Sequence, residues 1–283
     1  MTMEGIRIEK ASDPGELLRL AGTVGWNQTL SDCRELVCRD DAVCFFALHG
    51  NDVIGSAAAK FYGGTGMGYI NMVIVLEPFR GKGIATQMLR TLMNDLKDFK
   101  TLRLYATEAG SHVYSKLGFQ TYAVMHKYFR AWELHPVSSR IQPLRENDLD
   151  AAAALDAVSF GVERKNILKY FYSQGRSISF KLTNPDGTLS GFTIGRQGPS
   201  TCHASAVTAA NEEDAFDLFE AVAQSCPRTV PTMLILPDEQ KTMTRMAMER
   251  GFERGTPLLC MDYGQPGPKP AEHYYGMLGG DFG

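Results

Sequence analysis

The chain repeats itself. Ile141 to Asp156 ("IQPLRENDLDAAAALD") follows Ile6 to Ala21 ("IRIEKASDPGELLRLA") at an offset of 135 residues, each a strand-like start running into an Asp-initiated helical stretch. Late in each half a helix ends in Gly-Phe and enters a strand, "KLGFQTYAV" and "ERGFERGTPLL", with Phe119 and Phe252 lying 133 residues apart. Two similar offsets at opposite ends of the halves predict duplicated domains. A chain of 283 residues holds two domains of ordinary size. "WELHPVSSR", 132–140, breaks the periodicity. The domains are accordingly placed at 1–133 and 141–283, with a linker at 134–140 and a glycine-rich tail ("YYGMLGGDFG") closing the second.

Strand and helix signals alternate through the first half. "GIRIEKA" reads as a strand, and helical stretches follow near Glu16–Leu20 and Asp32–Cys38. "VCFFALHG" and "VIGSAAAKFYGG" read as a hairpin joined through Gly50–Asn51. "GYINMVIVL" is a nearly continuous apolar run, as a central strand covered on both faces requires. Ile84, Ala85, Met88, Leu89, Leu92, Met93 and Leu96 then share one helical face. "LRLYAT" is a strand, "SHVYSKL" a short helix ended by Gly118, and "FQTYAVMHKYF" a final strand. The fold class is α/β (α+β).

Charge excludes some partners. With 32 acidic and 29 basic residues the net charge is −3, which gives no global attraction to nucleic acid or an anionic membrane. No apolar run reaches the ~18 residues a membrane span needs, and "MTMEGIRIEK" lacks a signal-peptide core. The expected location is cytoplasmic. The six cysteines show no CxxC and no histidine at metal-ligand spacing. Reduced thiols in a reducing compartment and no metal are expected.

"FRGKGIATQMLRTLM", 79–93, sets Arg80, Gly81, Lys82 and Gly83 directly before a strongly apolar helix. A helix N-terminus carries unpaired N–H groups and partial positive charge, so such a turn can cradle an anion. The GxxxxGK[ST] phosphate loop is absent, and Thr86 stands where a dinucleotide fingerprint needs its third glycine. A tight strand-to-helix connection without a ligand is the bland alternative.

The setting of the turn narrows its identity. "NMVIVLEPFRGKGIATQMLRTLM", 71–93, resembles motif A of the GNAT N-acetyltransferase superfamily, [QR]xxGx[GA], with Arg80, Gly83 and Ala85 at the fixed positions and Val75 five residues before Arg80. "YATEAGSHVYSKLGF", 105–119, resembles motif B of the same superfamily. The resemblance covers nearly all of the first half. Together with "GWNQT" (25–29) and "MVIV" (72–75), it is similar to tandem proteins that pair an active GNAT domain with a degenerate GNAT-like one. It implies a mixed, mostly antiparallel central sheet flanked by helices in each half.

It also implies roles for individual residues. Backbone amides of Gly81, Lys82, Gly83, Ile84, Ala85 and Thr86 would wrap the pyrophosphate of acetyl-CoA, helped by the charges of Arg80 and Lys82. The edge of Val73, Ile74 and Val75 would pair with the pantetheine arm like an added strand. Thr107 stands where many relatives carry Asn, and Glu108 where many tandem relatives carry Pro. Tyr114 matches the usual proton donor to the departing thiolate, although an aromatic packing the sheet is the plain alternative. Lys82 reads equally as a solvated surface residue. Trp26, Asn27 and Gln28 fall where the family builds its acceptor wall, or else form a helix-joining turn.

No general base is evident: Leu102, Leu104 and Ala106 precede Thr107, and Glu77, His49 and Glu108 read as turn or surface groups. In the second half "HASAVTAA" runs into "NEEDAFDLFEAVA", where Asn211, Glu212, Glu213 and Asp214 suit a helix start but have the wrong sign for a pyrophosphate. That half is left as a wall, a dimerisation surface or a substrate selector, so a homodimer is open. The resulting expectation is an acetyl-CoA-dependent N-acetyltransferase acting on a small-molecule amine, without metal, nucleic acid or membrane. A non-catalytic acyl-CoA sensor and a protein N-terminal or lysine acetyltransferase are the competing readings.

Overall fold

The computed structural model describes residues 5–62 and 66–283. Gly63 and Gly64, read above as the end of a hairpin strand, lie outside the described residues, as do residues 1–4. The chain forms two compact units that are discontinuous in sequence. The first comprises Met1–Tyr122, Cys260–Gly267 and Gly280–Phe282, and the second Ala123–Leu259, Pro268–Gly279 and Gly283. The stretch 123–133, which the periodicity assigns to the first half, is thus part of the second unit.

The first unit opens with β1 (Ile6–Lys10), α1 (Pro14–Thr23) and α2 (Leu30–Val37). Asp13 caps α1 by accepting from Gly15 N at 2.7 Å, and Thr29 with Asp32 forms a capping box on α2. β2 (Ala42–His49), β3 (Asp52–Tyr62) and β4 (Met67–Val75) follow as antiparallel neighbours. The expected Gly50–Asn51 turn joins β2 to β3, with Gly50 at φ +63°. α3 (Ile84–Asp95) returns the chain to β5 (Thr101–Ala106), which runs parallel to β4. Met88, Leu89 and Leu92 of α3 are wholly buried, as are Leu17 and Leu20 of α1. α4 spans Glu108–Lys116 and starts three residues before the expected helix, because Thr107 caps it by accepting from Gly110 N at 3.2 Å.

In the second unit, β6 (Gln120–Arg130, from Ala123 onward) is followed by β7 (Gln142–Pro143), α5 (Leu149–Phe160) and α6 (Lys165–Gly175). β8 (Ser179–Thr183), β9 (Leu189–Gln197) and β10 (Cys202–Thr208) are antiparallel neighbours. Next come α7 (Glu212–Ser225), β11 (Thr232–Pro237), α8 (Lys241–Glu249), β12 (Glu253–Gly264) and β13 (Tyr274–Gly276). Residues 131–138, which overlap the expected linker at 134–140, carry no regular secondary structure. β5 in the first unit and β11 in the second each lie beside a strand from the other half of the sequence. β6 pairs antiparallel with β11, and the end of β12 flanks β5, where Arg103 holds Asp262 at 2.7 and 2.9 Å. The amphipathic pattern that marks a strand says nothing about its partner.

β4 and β10 carry matching bulges. Among the described residues, Met72 in β4 and Ala206 in β10, 134 residues apart, are the positive-φ non-glycine residues, at +49° and +48°. The β3–β4 register shifts between Ser56 and Ala58, and Ser56 Oγ donates to Met72 O at 2.7 Å. The β9–β10 register shifts between Ser205 and Thr208, and Thr193 Oγ1 donates to Ser205 O at 3.0 Å. A bulge kinks its strand and adds local twist. Parallel pairing accordingly stops early, at Tyr69↔Arg103 between β4 and β5 and at His203↔Met233 between β10 and β11.

One expectation is corrected here. Cys202 and Cys226 form a disulfide, although their spacing carries no sequence signature. Packing of α7 on β10 brings the start of that strand near the end of the helix. Cys33, Cys44 and Cys260 are buried thiols and Cys38 is exposed. No helix among the described residues is long and apolar enough to cross a membrane.

Candidate active site

The glycine turn ends at an uncapped helix. A single 3-10 turn at Glu77–Phe79 leads from β4 to Arg80, after which Gly81 and Gly83 adopt φ +74° and +80°. That left-handed conformation disfavours any side chain with a Cβ. Gly83 is the N-cap of α3, has no side chain to satisfy the first N–H groups, and is followed by a first turn without acidic residues. No atom lies within 4 Å of where a Cβ on Gly81 would sit. Bare amides, positive dipole and open space coincide, which is what a polyanion requires.

Val73, Ile74 and Val75 form the end of β4, past its pairing with β5. Their other edge is held by β3 through Gly55↔Val75 and Ser56↔Ile74. Among the described residues, no member of β4 beyond Tyr69 pairs with β5, so a strand-like edge faces the opening there. Arg80 and Val75 are brought together, because Arg80 Nε donates to Val75 O at 2.9 Å. Lys82 Nζ donates to Pro78 O at 2.7 Å and lies 5.1 Å from the Phe79 ring centre. Ile84 is 2% exposed, so its side chain belongs to the core and only its backbone faces the turn. Ala85 and Thr86 are half-buried.

Thr107 and Tyr114 belong to the neighbouring element. Thr107 Oγ1 is committed as acceptor to the α4 cap. Tyr114 lies one turn beyond Gly110, its ring edge-on to Phe119 at 6.0 Å. Burial pushes its phenol well above the ordinary value. Such a group stays protonated through neutral pH, which suits a proton donor and not a base.

None of the bases weighed from sequence is built as one. Glu77 is exposed in its 3-10 turn, Glu108 is exposed in the first turn of α4, and exposed His49 packs on Phe79 at 5.5 Å. Trp26, Asn27 and Gln28 form the connection between α1 and α2, where Trp26 N donates to Ala21 O at 3.1 Å. Gln28 leads to a residue that sequence reasoning missed. Its Nε2 donates to Asp281 Oδ2 at 2.5 Å, while Asn71 Nδ2 donates to Asp281 O at 2.8 Å and Tyr62 Oη to Phe282 O at 2.5 Å. Asn71 had a signal, as the polar interruption of an apolar strand. Asp281 had none, being a single acid in a glycine-rich tail.

The second unit carries neither feature of the turn. α7 is capped by Asn211, whose Oδ1 accepts from Asp214 N at 2.9 Å, and Glu212, Glu213 and Asp214 fill its first turn. Past the bulge, β10 is covered by β13, with Val207↔Gly276 and Thr208↔Tyr274 antiparallel and Ala206 N donating to Met277 O at 3.3 Å.

Comparisons with known proteins agree with this duplicated architecture. The model of the acetyltransferase (GNAT) family matches residues 13–119, and that of an acetyltransferase (GNAT) domain matches residues 152–276. Over 266 residues the chain is 23% identical to an uncharacterized N-acetyltransferase, YitH, of Bacillus subtilis, covering 93% of this chain and 92% of that one. It superposes on the crystal structure of a putative acetyltransferase from Pyrococcus horikoshii with a TM-score of 0.80 at 18% identity, covering 100% and 98% of the two chains. A tandem GNAT protein from the clavulanic acid biosynthesis pathway gives a TM-score of 0.66 at 11% identity, covering 93% and 100%.

Proposed function

The chain belongs to the acetyltransferase (GNAT) family, as two such domains in tandem, and we propose that it moves the acetyl group of acetyl-CoA onto the primary amine of a small metabolite, with the donor held by the first unit alone. The observation that carries this is the uncapped, acid-free N-terminus of α3 behind Gly81 and Gly83, at the end of a strand that has parted from β5. Backbone N–H groups from Gly81 to Thr86 are the pyrophosphate ligands, with Lys82 and Arg80 adding charge. Val73 to Val75 offer main-chain partners to the pantetheine amides.

Bound acetyl-CoA supplies an activated thioester. The work left to the protein is orientation, polarisation of the carbonyl and delivery of a proton. A backbone amide near Val75 is assigned the carbonyl, and Tyr114 Oη the proton that the departing thiolate takes. The second unit is a degenerate copy, because its acidic, capped α7 repels phosphate and β13 occupies the strand edge that the first unit leaves open. We assign it to shaping the acceptor side or to homodimer contact. We propose a cytoplasmic location on the ground of the acetyl-CoA pool alone, a reading that the Cys202–Cys226 disulfide does not favour, and no membrane, nucleic-acid or metal partner.

The test is acetyl-CoA turnover, followed by thiol release, over a panel of small amines. Thiol release with an amine establishes the enzyme, whereas donor binding without release under every amine leaves the acyl-CoA sensor. With an active amine in hand, Tyr114→Phe should retain donor affinity and lose roughly 10²-fold in kcat, the usual scale of one proton transfer. An unchanged kcat across a pH range where chemistry limits the rate makes Tyr114 a packing residue.

A further inference from the structure

His203 is a buried histidine of the second unit that the proposed reaction does not use. Strand pairing sets its neighbours: Arg196 of β9 on one side, Met233 of β11 on the other, and Phe129 of β6 beyond Met233. Directly paired residues point to the same face of a sheet, so these four side chains form one row. Lys127 stands two residues before Phe129 on β6 and shares that face. The alternate residues Cys202, Ala204, Leu234 and Tyr128 point the other way, into the core built with α7 and α8. The face of His203 thus brings it two cations and apolar groups, and the row holds no carboxylate. His203 is 1% exposed, and its Nε2 is buried with no hydrogen-bond partner. Arg196 is buried as well, its guanidinium 5.9 Å from the centre of the Phe171 ring of α6. α5 also packs on β10, and its buried acid, Asp156, is held by two bonds from Arg164.

We propose that His203 is an acid-operated release of the second unit: neutral, it lets β10 hold β13 in place, and protonated, it opens β10 and frees β13. An imidazolium in this row is a buried charge without a counter-ion, near two charges of its own sign. Burial first, then Arg196 and Lys127, push the imidazole down to about 3. A histidine in the open chain titrates near 6.5. The closed state has the lower value, so the open state binds the proton more tightly. Above about pH 7 His203 costs nothing. As pH falls below about 6.5 the closed state weakens, roughly tenfold per pH unit until about 3. β13 feels the change because β10 carries it. Ala206, three residues beyond His203, donates its N–H to Met277 O, and Val207 and Thr208 pair with Gly276 and Tyr274.

Urea unfolding of the full chain at pH 7.5 and pH 4.5 tests the release. Between these values His203 alone should lower the folding equilibrium constant about a hundredfold. His203→Phe and His203→Met take no proton, so each should lose that part of the pH dependence and keep the part due to other groups. Two variants are used so that one serves if the other does not fold. Hydrogen exchange locates the effect. From pH 7.5 to pH 4.5 the protection of Ala204–Thr208 and Tyr274–Leu278 should fall at least tenfold further in wild type than in the variants, after correction for the intrinsic pH dependence of exchange. The amides of β2 and β3 in the first unit should respond alike in all three proteins. Equal pH dependence in wild type and the folded variants overturns the release, as does a loss of protection that spares β10 and β13.

Discussion

Replacing Gly83 by Glu is expected to abolish stabilisation by acetyl-CoA while the protein stays folded. At a hundredfold excess over Kd a ligand adds about 2.7 kcal/mol, a rise of several degrees in Tm. Gly83 sits at φ +80° as the N-cap of α3, so any side chain costs about 1–2 kcal/mol in backbone strain. A carboxylate at a helix start returns roughly 0.3–1 kcal/mol of that. The apo protein therefore loses little. The bound state loses nearly everything, because the new carboxylate stands where the pyrophosphate must approach bare amides. Gly83→Ala separates the two effects, carrying the strain without the charge and keeping part of the shift. A full shift in Gly83→Glu would remove the turn from the donor site.

Asp156→Ala is expected to destabilise the second unit by about 3–5 kcal/mol, the usual result of removing one partner of a buried ion pair. Both side chains are fully buried, and Arg164 reaches Asp156 through Nε at 2.7 Å and Nη2 at 2.9 Å. The guanidinium lies 3.5 Å from the Phe160 ring centre, donates to Tyr274 Oη at 2.9 Å, and cannot shed its proton. Without Asp156 the buried charge loses its bidentate carboxylate and keeps among its partners Tyr274 Oη and Gly283 O, at 2.9 and 2.6 Å. Thermal unfolding measures the loss. The double variant Asp156→Met with Arg164→Met removes the charge as well as its partner and should recover most of the stability. If the single variant unfolds like wild type, the pair does not hold β13 in place.

What was legible in the sequence was local. Arg80 to Thr86 could be read because left-handed glycines, a missing cap and an apolar helix all act within a few residues of one another. The acidic start of α7 could be read for the same reason, as a sign change at a position fixed by the repeat. The bulges at Met72 and Ala206 left no mark, since both residues look like ordinary members of apolar strands. The placement of β6 beside β11 is long-range pairing, which periodicity does not encode. Cys202 and Cys226 meet only after α7 packs. Asp281 is the extreme case: its chemistry is set by Gln28 and Asn71, more than 200 residues away.

Under the proposed function, duplication left one donor site and closed the other. Severing the chain in the linker would take β6 from β11, so the measurement belongs on the intact protein. Calorimetric titration with acetyl-CoA should give one site per chain, and Gly83→Glu should leave none. Two sites per chain, or one site that survives Gly83→Glu, would mean that the second unit binds the donor despite β13 and the carboxylates of α7, and would contradict the account.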